Sequence, residues 1–156
     1  MIAAALFALS LFDAPQTHTV HRHVSGWTVR VTTDRFTKGV SCSVSKGKVR
    51  FRGDVLIFHL GEYADTSDAM FRVDGGPVRS VHEATYDDQR RGYYRKDGPL
   101  ENPSGGEVAL PSFYVTGAKW VYIRETPRDY LSWFDVSHFA DALALARSEN
   151  CPDIGP

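Results

Sequence analysis

The chain has 156 residues, 42% of them apolar and 12% aromatic, with 18 basic and 19 acidic side chains. That size suits one domain with a real core, and the composition excludes a disordered, collagen-like or extreme polyelectrolyte chain. A formal net charge of -1 offers no overall field for phosphate backbones or anionic lipid, which argues against nucleic acid as a partner.

Residues 2–12 form an apolar run broken only by Ser10, and polar chain follows from Asp13. The run is shorter than the roughly 20 residues a bilayer span needs. Its length and flanks suit a secretory signal, so residues 1–14 are read as a signal peptide. No Lys or Arg precedes the run, however, and cleavage after Ala14 or Ser10 is poorly specified; a buried first strand or helix is the competing reading. Cleavage would leave residues 15–25 as a flexible mature N-terminus, residues 26–156 as a single β-rich domain, and no integral membrane span in the mature chain.

Strand patterns begin at Trp27, where Trp27, Val29 and Val31 alternate with Thr28, Arg30 and Thr32. Val40, Cys42 and Val44 alternate with Ser41 and Ser43, and Gly47 marks a hairpin turn into Val49 and Phe51. Residues 55–60 are apolar at five of six positions and rich in β-branched and aromatic types, which predicts a central strand covered on both faces. Two short strands, 70–73 and 78–81, flank the turn Asp74-Gly75-Gly76-Pro77, which Asp74 shapes.

Residues 87–106 lose the apolar rhythm and read as a long surface loop. Structure resumes near Val108, and residues 119–124 and 130–136 read as a last strand pair. Ser137 is then expected to cap a helix carrying Phe139, Ala142, Leu143 and Ala146 on one face and ending near Glu149. These elements predict a mainly β fold, an antiparallel β-sandwich or partial barrel with one C-terminal α-helix.

Two cysteines, Cys42 and Cys151, are too far apart in sequence for metal or redox motifs and are expected to form a disulfide. A loop of about 110 residues closed this way is worth roughly 4 to 5 kcal/mol of chain entropy before strain. The alternative is two unrelated buried thiols, as in cytosolic proteins.

Among candidate sites, Arg90, Arg91, Tyr93, Tyr94, Arg95 and Lys96 combine cations with aromatics, a composition suited to an acidic or sugar-bearing ligand. Balanced by Asp87, Asp88 and Asp97, the same residues also fit a merely solvated loop. His18, His21 and His23 are close enough in sequence to ligate zinc or copper, but no carboxylate or cysteine nearby completes a set, so no metal is expected. Arg72 and Arg79 flank a turn and read either as an anion site or as solvent-face strand residues.

No nucleophile elbow, zinc-protease helix, phosphate loop or dinucleotide fingerprint is present, and no cofactor is implied. Asp135-Val136-Ser137-His138 reads as a helix entry. A catalytic pocket, were there one, is expected around His82, Glu83, Asp87 and Asp88.

Gly26-Trp27-Thr28-Val29, the segment from Phe71 to Arg79 through Asp74-Gly75-Gly76-Pro77, and Trp133-Phe134-Asp135-Val136-Ser137-His138-Phe139 before Cys151 together resemble the invasion-associated locus B family. The resemblance spans most of the chain after residue 25. Members often carry more cysteines, and residues 87–106 are a charged insertion relative to them. The resemblance implies a small exported protein of Gram-negative bacteria, periplasmic or secreted, without a catalytic site, that binds an unknown protein or an anionic or glycan component of the envelope. A disulfide-bonded inhibitor of an exported hydrolase such as lysozyme is the alternative, although a basic loop is poorly matched to a basic enzyme. An enzyme whose site is assembled only in the fold is a third reading.

Overall fold

The computed structural model describes residues 17–62, 64–66, 68–84, 101–102, 106–125, 130–152 and 154. The expected signal peptide therefore lies outside the described residues.

Strands β1 (Thr17–Val24) and β2 (Trp27–Asp34) pair along their whole length, from Thr17 with Asp34 to Val24 with Trp27. Ser25 and Gly26 join them with φ of 47° and 84°. A type I′ hairpin needs positive φ at both central residues, and glycine meets that demand without steric cost. Residues 17–24, within the segment 15–25 expected to be flexible, form β1. Only Val20 and Val24 mark an apolar side of β1, so the Ser-Gly dipeptide is the stronger signal for it.

The meander continues through β3 (Val40–Lys46), β4 (Val49–Arg52) and β5 (Val55–His59). Gly47 and Gly53 open the two-residue turns with φ of 55° and 66°. Strand β5 then pairs with β9 (Glu107–Pro111), and β8 (Glu101–Asn102) adds the far edge, giving the order β1-β2-β3-β4-β5-β9-β8. The predicted central strand lies inside this sheet, with Val55, Leu56 and Phe58 buried.

A second sheet has the order β11-β10-β6-β7, from β6 (Met70–Val73), β7 (Arg79–Ser80), β10 (Trp120–Arg124) and β11 (Leu131–Asp135). Every pairing is antiparallel, and neither sheet closes into a barrel. The fold is therefore sandwich-like. Helical residues 81–84 (α1) and a single turn α2 (Ser112–Val115) connect strands, and α3 (Phe139–Ser148) is the C-terminal helix.

Rings join the layers. Phe139 on α3 sits 5.2 Å from both Trp27 of β2 and Phe51 of β4, while Phe58 of β5 meets Phe134 of β11 at 5.1 Å. The helix thus covers the β2–β4 region and the second sheet covers β5. The four predicted core positions of α3, Phe139, Ala142, Leu143 and Ala146, are all buried. Such rings each remove about 150–250 Å² from water and dominate the cohesion of a core this size.

The helix entry differs from expectation. His138, not Ser137, occupies the cap position, in left-handed geometry with φ of 62° and no side-chain cap bond. Ser137 instead turns its hydroxyl to Asp135 Oδ1 at 2.6 Å. Among the described residues, no helix is long and apolar enough to cross a membrane.

Cys42 of β3 and Cys151, just beyond α3, form the disulfide, with Cα atoms 5.6 Å apart and a sequence separation of 109. It ties the end of the helix to the sheet beneath it. Gly106 is fixed by a different constraint, since its φ is 61° and a Cβ would collide with the backbone oxygen of Gly61. Replacing both cysteines by serine should lower the unfolding free energy by about 3 to 5 kcal/mol. Urea denaturation measures this, and an unchanged midpoint would show that the crosslink constrains nothing.

Candidate functional site

Strand alternation puts Val121, Ile123, Phe134 and Phe71 of the second sheet into the core. The opposite face is also largely apolar, which is unusual for a solvated sheet. Register sets Trp133, Tyr122 and Arg72 in one row across β11, β10 and β6, and Leu131, Arg124 and Met70 in the next. Trp120 opens a third row opposite Asp135.

Leu131 and Trp133 are 64% and 63% exposed, Val78 57% and Trp120 41%. Scattered exposed apolar residues mean little, whereas a contiguous group on one sheet face marks an interaction surface. The indoles of Trp120 and Trp133 stack at 6.3 Å between centroids with 24° between planes. Arg72 lies over the ring of Tyr122 at 5.0 Å. Beside these, a depression of about 400 Å³ opens between Met70, Arg72, Val78, Tyr122, Arg124 and Leu131.

The turn foreseen at Asp74 positions part of this face. Its carboxylate accepts the backbone N–H of Trp120 at 2.8 Å and of Lys119 at 3.1 Å, while its own N–H donates to the Trp120 carbonyl at 2.9 Å. Asp74 adopts a φ of 48°, a conformation that Asp tolerates better than most residues. Asp74 alone therefore holds the start of β10 and the backbone of Trp120.

A polar joint anchors the end of β11. Lys46 Nζ lies 2.8 Å from Asp135 Oδ2, and Asp135 Oδ1 accepts both the hydroxyl and the N–H of Ser137. The Ser137 carbonyl in turn accepts the indole N–H of buried Trp27 at 2.8 Å and Lys46 Nζ at 3.4 Å. Burial alone would raise the Asp135 pKa, but hydrogen bonds from Lys46 and Ser137, with the lysine's charge, overcome that and hold it at about 2. Lysine, serine and aspartate are grouped here, with the serine hydroxyl donating to a carboxylate whose pKa is held at about 2, too weak a base to activate it near neutral pH, and the lysine charge matched. The group clamps β3 to the end of β11.

The predicted candidates separate in space. Arg90, Arg91, Tyr93, Tyr94, Arg95 and Lys96 lie outside the described residues. Alternation places His21 and His23 on one face of β1 and His18 on the other, and His23 is hydrogen-bonded to Thr28 Oγ1 at 3.1 Å. Among the described residues, no group of three or more His, Cys, Asp or Glu side chains is placed to hold a metal. Arg72 and Arg79 do not converge either. Arg79 pairs with core-facing Phe71 and sits over Tyr114 at 5.6 Å, so it is not the solvent-face residue expected.

His82 lies 3.7 Å from Asp68 on an exposed surface, Glu83 is exposed, and Asp87 and Asp88 lie outside the described residues. On the outer face of the large sheet, Arg50 is engaged by both oxygens of Glu107 at 2.6 and 2.8 Å. A depression of about 590 Å³ near the disulfide includes Arg50 and Arg52 but offers no exposed ring, Phe51 being a core residue.

Sequence reasoning located the strands of the aromatic face but not the face itself. The signal is the pair Trp120-Val121-Tyr122-Ile123-Arg124 and Leu131-Ser132-Trp133-Phe134-Asp135, in which large apolar residues occupy both alternating sets. Comparison with family models found no match, and searches among curated proteins and solved structures found none either.

Asp135 binds more protons unfolded than folded at acid pH, because its folded pKa is depressed from 3.8 to about 2. Its contribution to stability is therefore complete above pH 3.8 and disappears as pH falls from there through about 2. With the carboxylate 41% exposed, solvent screening reduces that contribution to about 1 kcal/mol. In urea titrations Asp135→Asn should lose this amount at pH 6 and almost none at pH 2; an equal loss at both would remove the ionic account.

Proposed function

We propose that this chain is a non-catalytic binding protein of the bacterial envelope, periplasmic or secreted, which holds its ligand against the outer face of the four-stranded sheet. The observation that carries this reading is the exposed group Trp120, Trp133 and Leu131 on one face of a hydrogen-bonded sheet. Exposed tryptophan is costly to hydrate and prone to association, so a contiguous group of such residues is best explained by a ligand that covers it.

Export is supported by the Cys42–Cys151 disulfide, since such bonds persist in oxidising compartments, and by the signal-like run at residues 2–12. The resemblance to the invasion-associated locus B family points to the same compartment and role. The non-catalytic reading follows that resemblance, and at Lys46, Asp135 and Ser137 the carboxylate that accepts the serine hydroxyl is too weak a base, with a pKa of about 2, to activate it.

Co-sedimentation with purified cell envelopes of a Gram-negative bacterium tests the role and the surface together. The native chain should pellet, and the Trp120→Ala/Trp133→Ala double variant should bind about tenfold or more weakly, as loss of central aromatic anchors does. Native chain left in the supernatant would overturn the envelope role. Equal pelleting by both proteins would move the site elsewhere.

A further inference from the structure

Beyond what the face holds, we infer that two copies of this chain join edge to edge along β11, antiparallel about a two-fold axis at Trp133. The direction of the backbone groups carries the inference. The Val136 N–H donates to the Lys119 carbonyl at 2.9 Å, and the Glu125 N–H to the Tyr130 carbonyl at 3.1 Å. Both pairs continue the register that sets Val121 opposite Phe134 and Ile123 opposite Ser132. Bonded and non-bonded pairs alternate along an antiparallel ladder, so Tyr130, Ser132, Phe134 and Val136 turn their N–H and C=O groups to β10. Leu131, Trp133 and Asp135 therefore turn theirs to the open side, where β11 ends the sheet. The bond from the Asp74 N–H to the Trp120 carbonyl agrees with this alternation, since Trp120, opposite Asp135, is bonded on its β6 side. Among the described residues, none of the outward groups has a hydrogen-bond partner.

The other edges are blunted. An open strand edge is a template for a further strand, and short strands or charged side chains discourage that pairing. Strands β7 and β8 are two residues long, and β1 carries Arg22 and three histidines. Strand β11 instead spans five residues without Lys, Arg or Pro, and displays Leu131 and Trp133.

The outward set is also symmetric about Trp133. A two-fold axis there lets Trp133 exchange both backbone bonds with the partner's Trp133, and Leu131 with the partner's Asp135. No like charges meet in this register. An axis at Asp135 would set two carboxylates opposite each other, and one at Leu131 would carry Trp133 and Asp135 past the start of the partner's strand. Trp120 stands on β10, away from the edge, so its stacking with Trp133 persists. A strand of another protein would satisfy the same groups; the self-matched register is what favours a second copy. So short a contact buries less than the roughly 1,600 Å² of a standard interface, which sets the association in the micromolar range.

Sedimentation equilibrium on the full chain should show its mass rising toward that of a dimer between about 1 and 200 µM. Residue-resolved amide hydrogen exchange at the two ends of this range identifies the surface. At the higher concentration the N–H groups of Leu131, Trp133 and Asp135 should slow at least about threefold, while those of Ser132 and Phe134, already in the ladder, should not change. Trp133→Lys and Trp133→Glu each set like charges across the axis and should each weaken association about tenfold. An equimolar mixture of the two should associate at least about threefold more tightly than either alone. Thermal midpoints within a few degrees of the native chain keep the variants interpretable.

A monomer mass up to about 200 µM would overturn the inference. So would a dimer whose Leu131, Trp133 and Asp135 amides exchange as fast as in dilute protein, because that dimer would pack through another surface. Neither outcome bears on the envelope role, which pelleting of the native chain tests by itself.

Discussion

The indole N–H of Trp27 is the constraint around which the rest is arranged. Trp27 is fully buried, and a donor left unpaired there would cost about 1 to 3 kcal/mol. Its partner is the Ser137 carbonyl, on the short connection between β11 and α3. That bond fixes the connection over the start of β2, and Phe139 two residues later then falls onto Trp27 and Phe51. Lys46 reaches the same carbonyl and lies over the indole at 5.8 Å, so its charge enters the joint and needs an answer. Asp135 supplies it. One buried donor thus links the large sheet, the helix and the edge strand that carries Trp133.

The disulfide secures the opposite end of the same helix. With Ser137 held at its start and Cys151 at its end, α3 cannot swing away from the sheet without breaking one attachment. Arg22 adds a third, reaching Glu149 at 2.9 Å from the edge strand β1. That ion pair is partly exposed and contributes little energy, but it presents charge along an edge that would otherwise invite pairing with another chain. The hairpin at Ser25-Gly26 sets the register that brings Arg22 to the helix side.

The sequence revealed elements whose two faces differ sharply and concealed those whose faces do not. Residues 27–32 and 40–44 alternate cleanly because one side meets the core and the other meets water. Strand β1 is polar on most of both sides, so its pairing rests on a turn and on backbone bonds, which periodicity does not register. The helix is legible from its apolar stripe, but its cap is His138 and not the serine before it. Ser137 has the right chemistry, but a nearby carboxylate outcompetes the backbone N–H groups for its hydroxyl. Arg72 and Arg79 looked equivalent in sequence, and the pairings of Arg72 with Tyr122 and of Arg79 with Phe71 separate them to opposite sides of one sheet.

The aromatic face follows from the same logic carried one step further. In β10 and β11 both alternating sets are large, so the strands read as doubly covered, as β5 does. For β5 the second cover is only partial, Ile57 and His59 being half-buried on the outer side. For β10 and β11 one side is filled by Val121, Ile123 and Phe134, while Trp120 and Trp133 stand in water. Their backbones are held by the antiparallel ladder and, at Trp120, by Asp74, and an indole has only two side-chain torsions to immobilise. A ligand meeting this face therefore encounters rings on an ordered backbone, and little of the contact energy is spent on ordering the protein. The joint at Trp27 reaches the face through Asp135, the residue two beyond Trp133, so the interaction that closes the core also secures the end of the strand on which the proposed ligand would rest.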